Sequence, residues 1–348
     1  MSADAPAVPR AREFLADPRD RRVLRYALGT TLAMAVAMGV AWDLSFIVPL
    51  LTLMLLASPA PRPRIHKGLA FVATIAVASY GGLWAIKYLL NFTWVFFPII
   101  GLLLLGVFLA KAKGVSPFLV TWLLLALLLL PMVAVQSPDL ARFLARGLVV
   151  GATVTLFVVW TAHTLVPDLP ARAPVAAAPP APATPPADAG RLALTQTLVV
   201  LPLLVLFHLF EWTGGILVLI FVALLSMQPG FASSFKAGGA MLIGNAMGGV
   251  AAIVMFGLLT VVPEYAFLVL LTLLAGLFFG SRLMSGRPMA PLYGMAYSTL
   301  LLVIGMTTSS AGDARAKVYD RLFQMGLAVL YVVVAFGLIE RLRRTRSR

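Results

Sequence analysis

The chain has no cysteine and only three histidines, His66, His163 and His208, set far apart. The first absence excludes disulfides, thiolate metal sites and cysteine nucleophiles together. The second leaves no spacing that suggests a metal cluster. Charge is also scarce, with Asp, Glu, Lys and Arg at 11% of the residues against about a quarter in a soluble domain. Acids are the rarer sign, 13 against 27 Lys and Arg, for a net charge of +14. Enzymatic signatures are missing: there is no GxxxxGK[ST] loop, no HExxH and no GxSxG. The expectation is a protein that is not an enzyme, holds no cofactor and contains no ATP-driven motor.

What is present is apolar. Hydrophobic residues make up 61% of the chain and the mean hydropathy is +0.98, which places it in a bilayer. Twelve helices are predicted, at 24–41, 44–58, 68–86, 94–110, 117–135, 141–163, 192–210, 213–228, 237–262, 265–280, 289–306 and 321–340. Most carry the roughly 17 apolar residues needed to cross about 30 Å of hydrocarbon. Helices are the only choice, because unpaired backbone groups cannot face lipid and no barrel-like alternation occurs. The fold class is an all-α membrane protein.

The second half repeats the first at a spacing of 170 residues. Arg21 matches Arg191, Leu24 matches Leu194, Trp42 matches Trp212 and Pro59 matches Pro229. The small stripe Ala70, Thr74, Ala78 and Gly82 falls on Ala240, Gly244, Gly248 and Ala252. Further on the offset is 179, where Arg142 and Gly147 meet Arg321 and Gly326. Six helices per repeat is an even number, so the two repeats are expected to run parallel. The organisation is an arm at 1–23, a repeat at 24–165, a linker at 166–190, a repeat at 191–340 and a basic tail at 341–348. Pro167, Pro170, Pro174, Pro179, Pro180, Pro182, Pro185 and Pro186 make the linker a semi-rigid polyproline spacer.

With the N-terminus inside, 21 of the 27 basic residues fall on inside segments. The outside keeps Lys87, Arg142, Arg146, Arg315, Lys317 and Arg321. That bias places both termini in the cytoplasm, and basic residues at helix ends suit anionic headgroups rather than nucleic acid. About two dozen mostly polar residues precede the first span, so no signal peptide is expected.

Two matched helices, the second and the eighth, are short. Pro49 interrupts one, Gly214 and Gly215 open the other, and Pro59 and Pro229 end them. Short segments at equivalent positions of two repeats point to a transport site, and their free N–H groups suit an anion. Ser45, Thr52, Ser226 and Gln228 add polar side chains; local thinning of the bilayer is the competing account. The small stripe reads as packing. Asn245 beside it is open to substrate binding or an interhelical hydrogen bond.

Arg146 lies about one turn below the outer surface, roughly 6 Å along the axis from Arg142. A charge there costs up to a few kcal/mol unless it pairs or faces water. An anion path and snorkelling to headgroups are both open to it. Arg142 and Arg321 extend the same outer patch, with Arg321 nearer the boundary. Proton-coupling candidates are Asp43, His208 and Glu211, the last two three residues apart on one helix face. Tyr293 and Tyr297, four apart, would either stack an aromatic substrate or pack.

The run Met227-Gln228-Pro229-Gly230-Phe231, then Ser234-Phe235-Lys236-Ala237-Gly238, then Gly244-Asn245 with Gly248, resembles the fusaric acid resistance and aromatic acid exporter superfamily. Ser58-Pro59-Ala60 and His66-Lys67-Gly68 echo it in the first half, as do Arg146-Gly147 and Asp320-Arg321 with Gly326 near the helix ends. The resemblance implies an inner-membrane efflux component for aromatic or other organic anions. It also implies a proton-driven cycle and a periplasmic adaptor of the membrane-fusion type. Plant relatives conduct organic anions as channels. The chain departs from the exporters in lacking a cytoplasmic domain between repeats and in carrying Asn245 where threonine is usual. A passive organic-anion channel and a non-transporting scaffold subunit are the alternatives, and the oligomeric state, a homo-oligomer included, is left open. A major facilitator transporter shares only the helix count, since Ser58 to Gly68 carries no acid.

Overall fold

The computed structural model describes residues 17–40, 44, 46–58, 62–89, 92–115, 117–168, 186–210, 216–227, 231–309 and 314–346. Among them are twelve helices and no strand: α1 Pro18–Gly39, α2 Ile47–Ala57, α3 Ile65–Leu89, α4 Thr93–Ala112, α5 Pro117–Gln136, α6 Pro138–Leu165, α7 Pro186–Leu209, α8 Ile216–Ser226, α9 Phe231–Val261, α10 Tyr265–Leu283, α11 Ala290–Ser309 and α12 Ala314–Arg346. Every predicted helix is present. Several run past their apolar stretch, because capping rather than hydropathy sets where a helix stops. At α1 the Asp17 carboxylate accepts from the N–H of Arg19 at 2.8 Å and Pro18 opens the first turn, where its missing N–H costs nothing. α7 begins at Pro186, inside the predicted linker, for the same reason, with Asp188 in its first turn.

Eight helices, α3 to α7, α9, α10 and α12, contain segments long and apolar enough to cross a membrane. α2 and α8 are shorter, at 11 residues each or about 16 Å.

The chain divides into two compact units, and each draws helices from both sides of the linker. The first holds residues up to Arg64, then Val154–Val175 and Met247–Ala314. In it α1 packs on α2 and α10, and α11 packs on α10, α2 and α1. Small residues make these approaches close, as packing between helices in lipid requires. A Cβ at Gly276 would stand 2.9 Å from the Cα of Ala27, and one at Gly248 would stand 2.2 Å from the carbonyl oxygen of Ala296. Tyr297 is fully buried there. Its hydroxyl lies 2.9 Å from Thr30 Oγ1 and donates to the carbonyl of Thr272 at 3.2 Å, while its ring packs on Tyr26 and Phe279. The residue is a packing anchor rather than an open stacking platform. Tyr297→Phe removes both hydrogen bonds and is expected to cost about 1–2 kcal/mol, read as a fall in the thermal midpoint of purified protein.

The second unit holds Ile65–Thr153, Ala176–Ala246 and Arg315–Arg348. Here α7 packs on α8, α4 and α5, and α5 also packs on α3, α4 and α8. Its core is built from larger side chains, among them Phe96, Phe108, Leu124, Leu128, Phe207 and Leu219. Tyr331 on α12 donates to the carbonyl of Val199 on α7 at 2.9 Å.

Candidate functional site

Of the residues singled out by sequence, Ser45, Asp43, Glu211 and Gln228 lie outside the described residues, as does the side chain of Arg321 on α12. Arg142 and Arg146 lie on the part of α6 that belongs to the second unit, both exposed. Arg142 pairs with Asp139 at 2.6 Å, one turn back, and donates to the carbonyl of Pro138. In the same unit, His208 packs its ring against Phe96 and Phe97. Asn245 is buried and donates to the carbonyl of Met241 at 2.8 Å, so part of its hydrogen-bonding capacity is used within its own helix.

The short helices carry buried hydroxyls. Thr52 on α2, in the first unit, is 0% exposed, and its Oγ1 has no hydrogen-bond partner among the described residues. Ser226 at the end of α8, in the second unit, is in the same condition. A buried hydroxyl left unpaired costs about 1–3 kcal/mol, so each marks a position suited to a further polar group. α6 braces α2 through Thr155, whose hydroxyl donates to the carbonyl of Val48 at 3.3 Å.

A denser polar cluster sits at the start of α1, in the first unit. The side chain of Arg25 is 6% exposed and forms an ion pair with Asp168 at 2.5 Å, whose side chain is 45% exposed. Arg21 donates to the carbonyl of Pro167 at 3.1 Å, and Arg19 donates to that of Ser281, also at 3.1 Å. Arg22 keeps a buried Nε without a hydrogen-bond partner among the described residues. Burial, together with Arg25 beside it, lowers its guanidinium from the ordinary value, while Asp168 acts the other way. His163 on α6 is 6% exposed and close enough to Arg25, Arg62 and Asp168 for their charges to act on its ring. Its Nδ1 bonds the carbonyl of Val159 at 2.9 Å, and its Nε2 has no hydrogen-bond partner among the described residues. Trp160, one turn earlier, ties Pro63 to α6 by donating to its carbonyl at 3.0 Å.

This cluster was not predicted. The sequence offered Arg25 only as one more inside-facing charge. Its spacing of four from Arg21 was the available signal, because it sets Arg25 one turn deeper on the same face.

Among the described residues these elements define the class: all-helical and apolar, with eight helices long and apolar enough to cross a membrane. Residues 22–162 match a family described as a protein of unknown function, DUF2955. The match runs from the first turns of α1 to near the end of α6. Comparison with curated proteins and with solved structures gives no match.

Proposed function

We propose that the chain is an inner-membrane secondary transporter that exports organic anions, aromatic acids among them, and is built from two parallel six-helix repeats. The observation that carries this reading is a correspondence between the two units. α1 packs on α2 as α7 packs on α8, and α1 packs on α10 as α7 packs on α4. α10 packs on α11 as α4 packs on α5, α11 on α2 as α5 on α8, and α11 on α1 as α5 on α7. Shifting each of these helices by six converts one set of five pairings into the other, while the packing of α3 on α5 in the second unit has no counterpart of that extent in the first. That supports two repeats that have exchanged helices, the plan in which transport sites form from both repeats. The matched family segment, 22–162, covers one such six-helix stretch.

On this reading α2 and α8 are equivalent, and Thr52 and Ser226 are the matching unpaired hydroxyls, one in each unit. Both termini face the cytoplasm, the proton gradient drives export, and a periplasmic adaptor continues the path. Asn245, Arg142, Arg146 and Arg321 belong to the substrate pathway, and Asp43, His208 and Glu211 to its proton coupling.

The test is export of radiolabelled benzoate from cells with and without the protein, with a protonophore arm and Arg146→Ala. The expected result is protonophore-sensitive export that falls about tenfold in the variant, the factor carried by about 1.4 kcal/mol. Flux that follows the gradient and survives the protonophore replaces the exporter with a channel. No flux of any acid at normal expression leaves the scaffold role.

A further inference from the structure

We infer that the cluster at the start of α1 is an anion site whose resident carboxylate, that of Asp168, gives way to the carboxylate of an organic acid. This rests on the transporter reading and names where its substrate is first held.

A guanidinium as buried as that of Arg25 requires a counter-anion, since an unpaired buried charge is strongly destabilising. The anion it has is not part of a helix. Asp168 stands three residues beyond the end of α6, with its side chain 45% exposed, so withdrawing it to water costs little while the need of Arg25 is unchanged. The backbone beside it stays fixed meanwhile, because Arg21 holds the Pro167 carbonyl. Only the Asp168 side chain has to swing.

The charge count favours a second anion. Arg22 and Arg25 flank one another on α1, Arg62 approaches from the segment before α3, and Asp168 is the acid whose charge acts on this group. The wall also holds a buried donor, Arg22 Nε, with no hydrogen-bond partner among the described residues. A plain structural tie between α6 and α1 needs the Arg25–Asp168 pair but leaves the Arg22 Nε donor without a purpose.

The full chain in detergent is the material for the test. Its thermal midpoint is followed against sodium benzoate, benzamide as the neutral isostere, and sodium chloride at matched ionic strength. Asp168→Asn is expected to lower the midpoint in anion-poor buffer, and benzoate to restore it, while benzamide does not. The apparent benzoate affinity of the variant is expected to exceed that of the native chain by about tenfold, because a tethered competitor acts at millimolar effective concentration. Equal responses to benzoate and benzamide overturn the site. If Asp168→Asn yields no folded protein, Arg62→Gln carries the test: weaker benzoate stabilisation of an otherwise native chain supports the site, and unchanged stabilisation overturns it. Export without benzoate stabilisation removes this site and keeps the transporter, whereas stabilisation without export does the reverse.

Discussion

Gly248→Leu is expected to leave no monodisperse protein after extraction, and Gly248→Ala to lower the thermal midpoint by several degrees. The reason is geometric. A Cβ at 248 would lie 2.2 Å from the carbonyl oxygen of Ala296 and 2.8 Å from its carbonyl carbon and Cα. All three are backbone atoms, so no rotamer change relieves the overlap and α9 must move away from α11. Overpacking that side chains can absorb costs about 1–3 kcal/mol, and here that route is closed. Gly257→Ala on the same helix is the control. Nothing lies within 4 Å of its Cβ, and alanine is the better helix former by up to about 1 kcal/mol. Size-exclusion profiles and melting curves of the three variants check this. A Gly248→Ala protein as stable as Gly257→Ala would contradict the close approach of the two helices.

The second large effect concerns the chain cut within the proline segment, between Pro174 and Pro186. Neither half, α1 to α6 or α7 to α12, is expected to yield folded protein alone, whereas the two co-expressed are expected to purify together. Half of the first unit is missing from each piece, since α1 and α2 come from one side of the cut and α10 and α11 from the other. The same holds for α4 and α5 against α7 and α8 in the second. Loss of the covalent connection is a small matter beside this, because closure entropy grows only slowly with loop length. Affinity purification through a tag on one half measures it. A half that folds and stays monodisperse by itself would show that the cross-linker pairings are dispensable.

The helices were legible in the sequence because hydropathy in a bilayer is a strong local signal, and all twelve are found. Their partners were not. The proline-rich stretch marks a joint in the covalent chain, and it invites a division into two halves. Packing instead follows small residues such as Gly248 and Gly276, whose value depends on what faces them from far along the chain. The polar site follows the same pattern. The pairing of Arg142 with Asp139 is three residues long and could be read from spacing, whereas Arg25 and Asp168 are 143 residues apart, and nothing local announces them. The spacing of Tyr297 from Tyr293 leaves stacking and packing both open, and Thr30 and Thr272 decide for packing by holding its hydroxyl.

The pairing of α1 with α10 also has a consequence for biosynthesis. α1 ends at Gly39 and α10 begins at Tyr265, so roughly 225 residues separate them in the order of synthesis. At about 5–20 residues per second, the first helix made waits some 10 to 45 seconds for the surface it is shaped to meet. Throughout that interval the face that α10 later covers has only lipid or the insertion machinery against it. Assembly of the first unit is therefore a late event, completed only when the chain is nearly finished, and a ribosome that stalls before residue 265 delivers a first helix packed on α2 alone, with its α10 face uncovered.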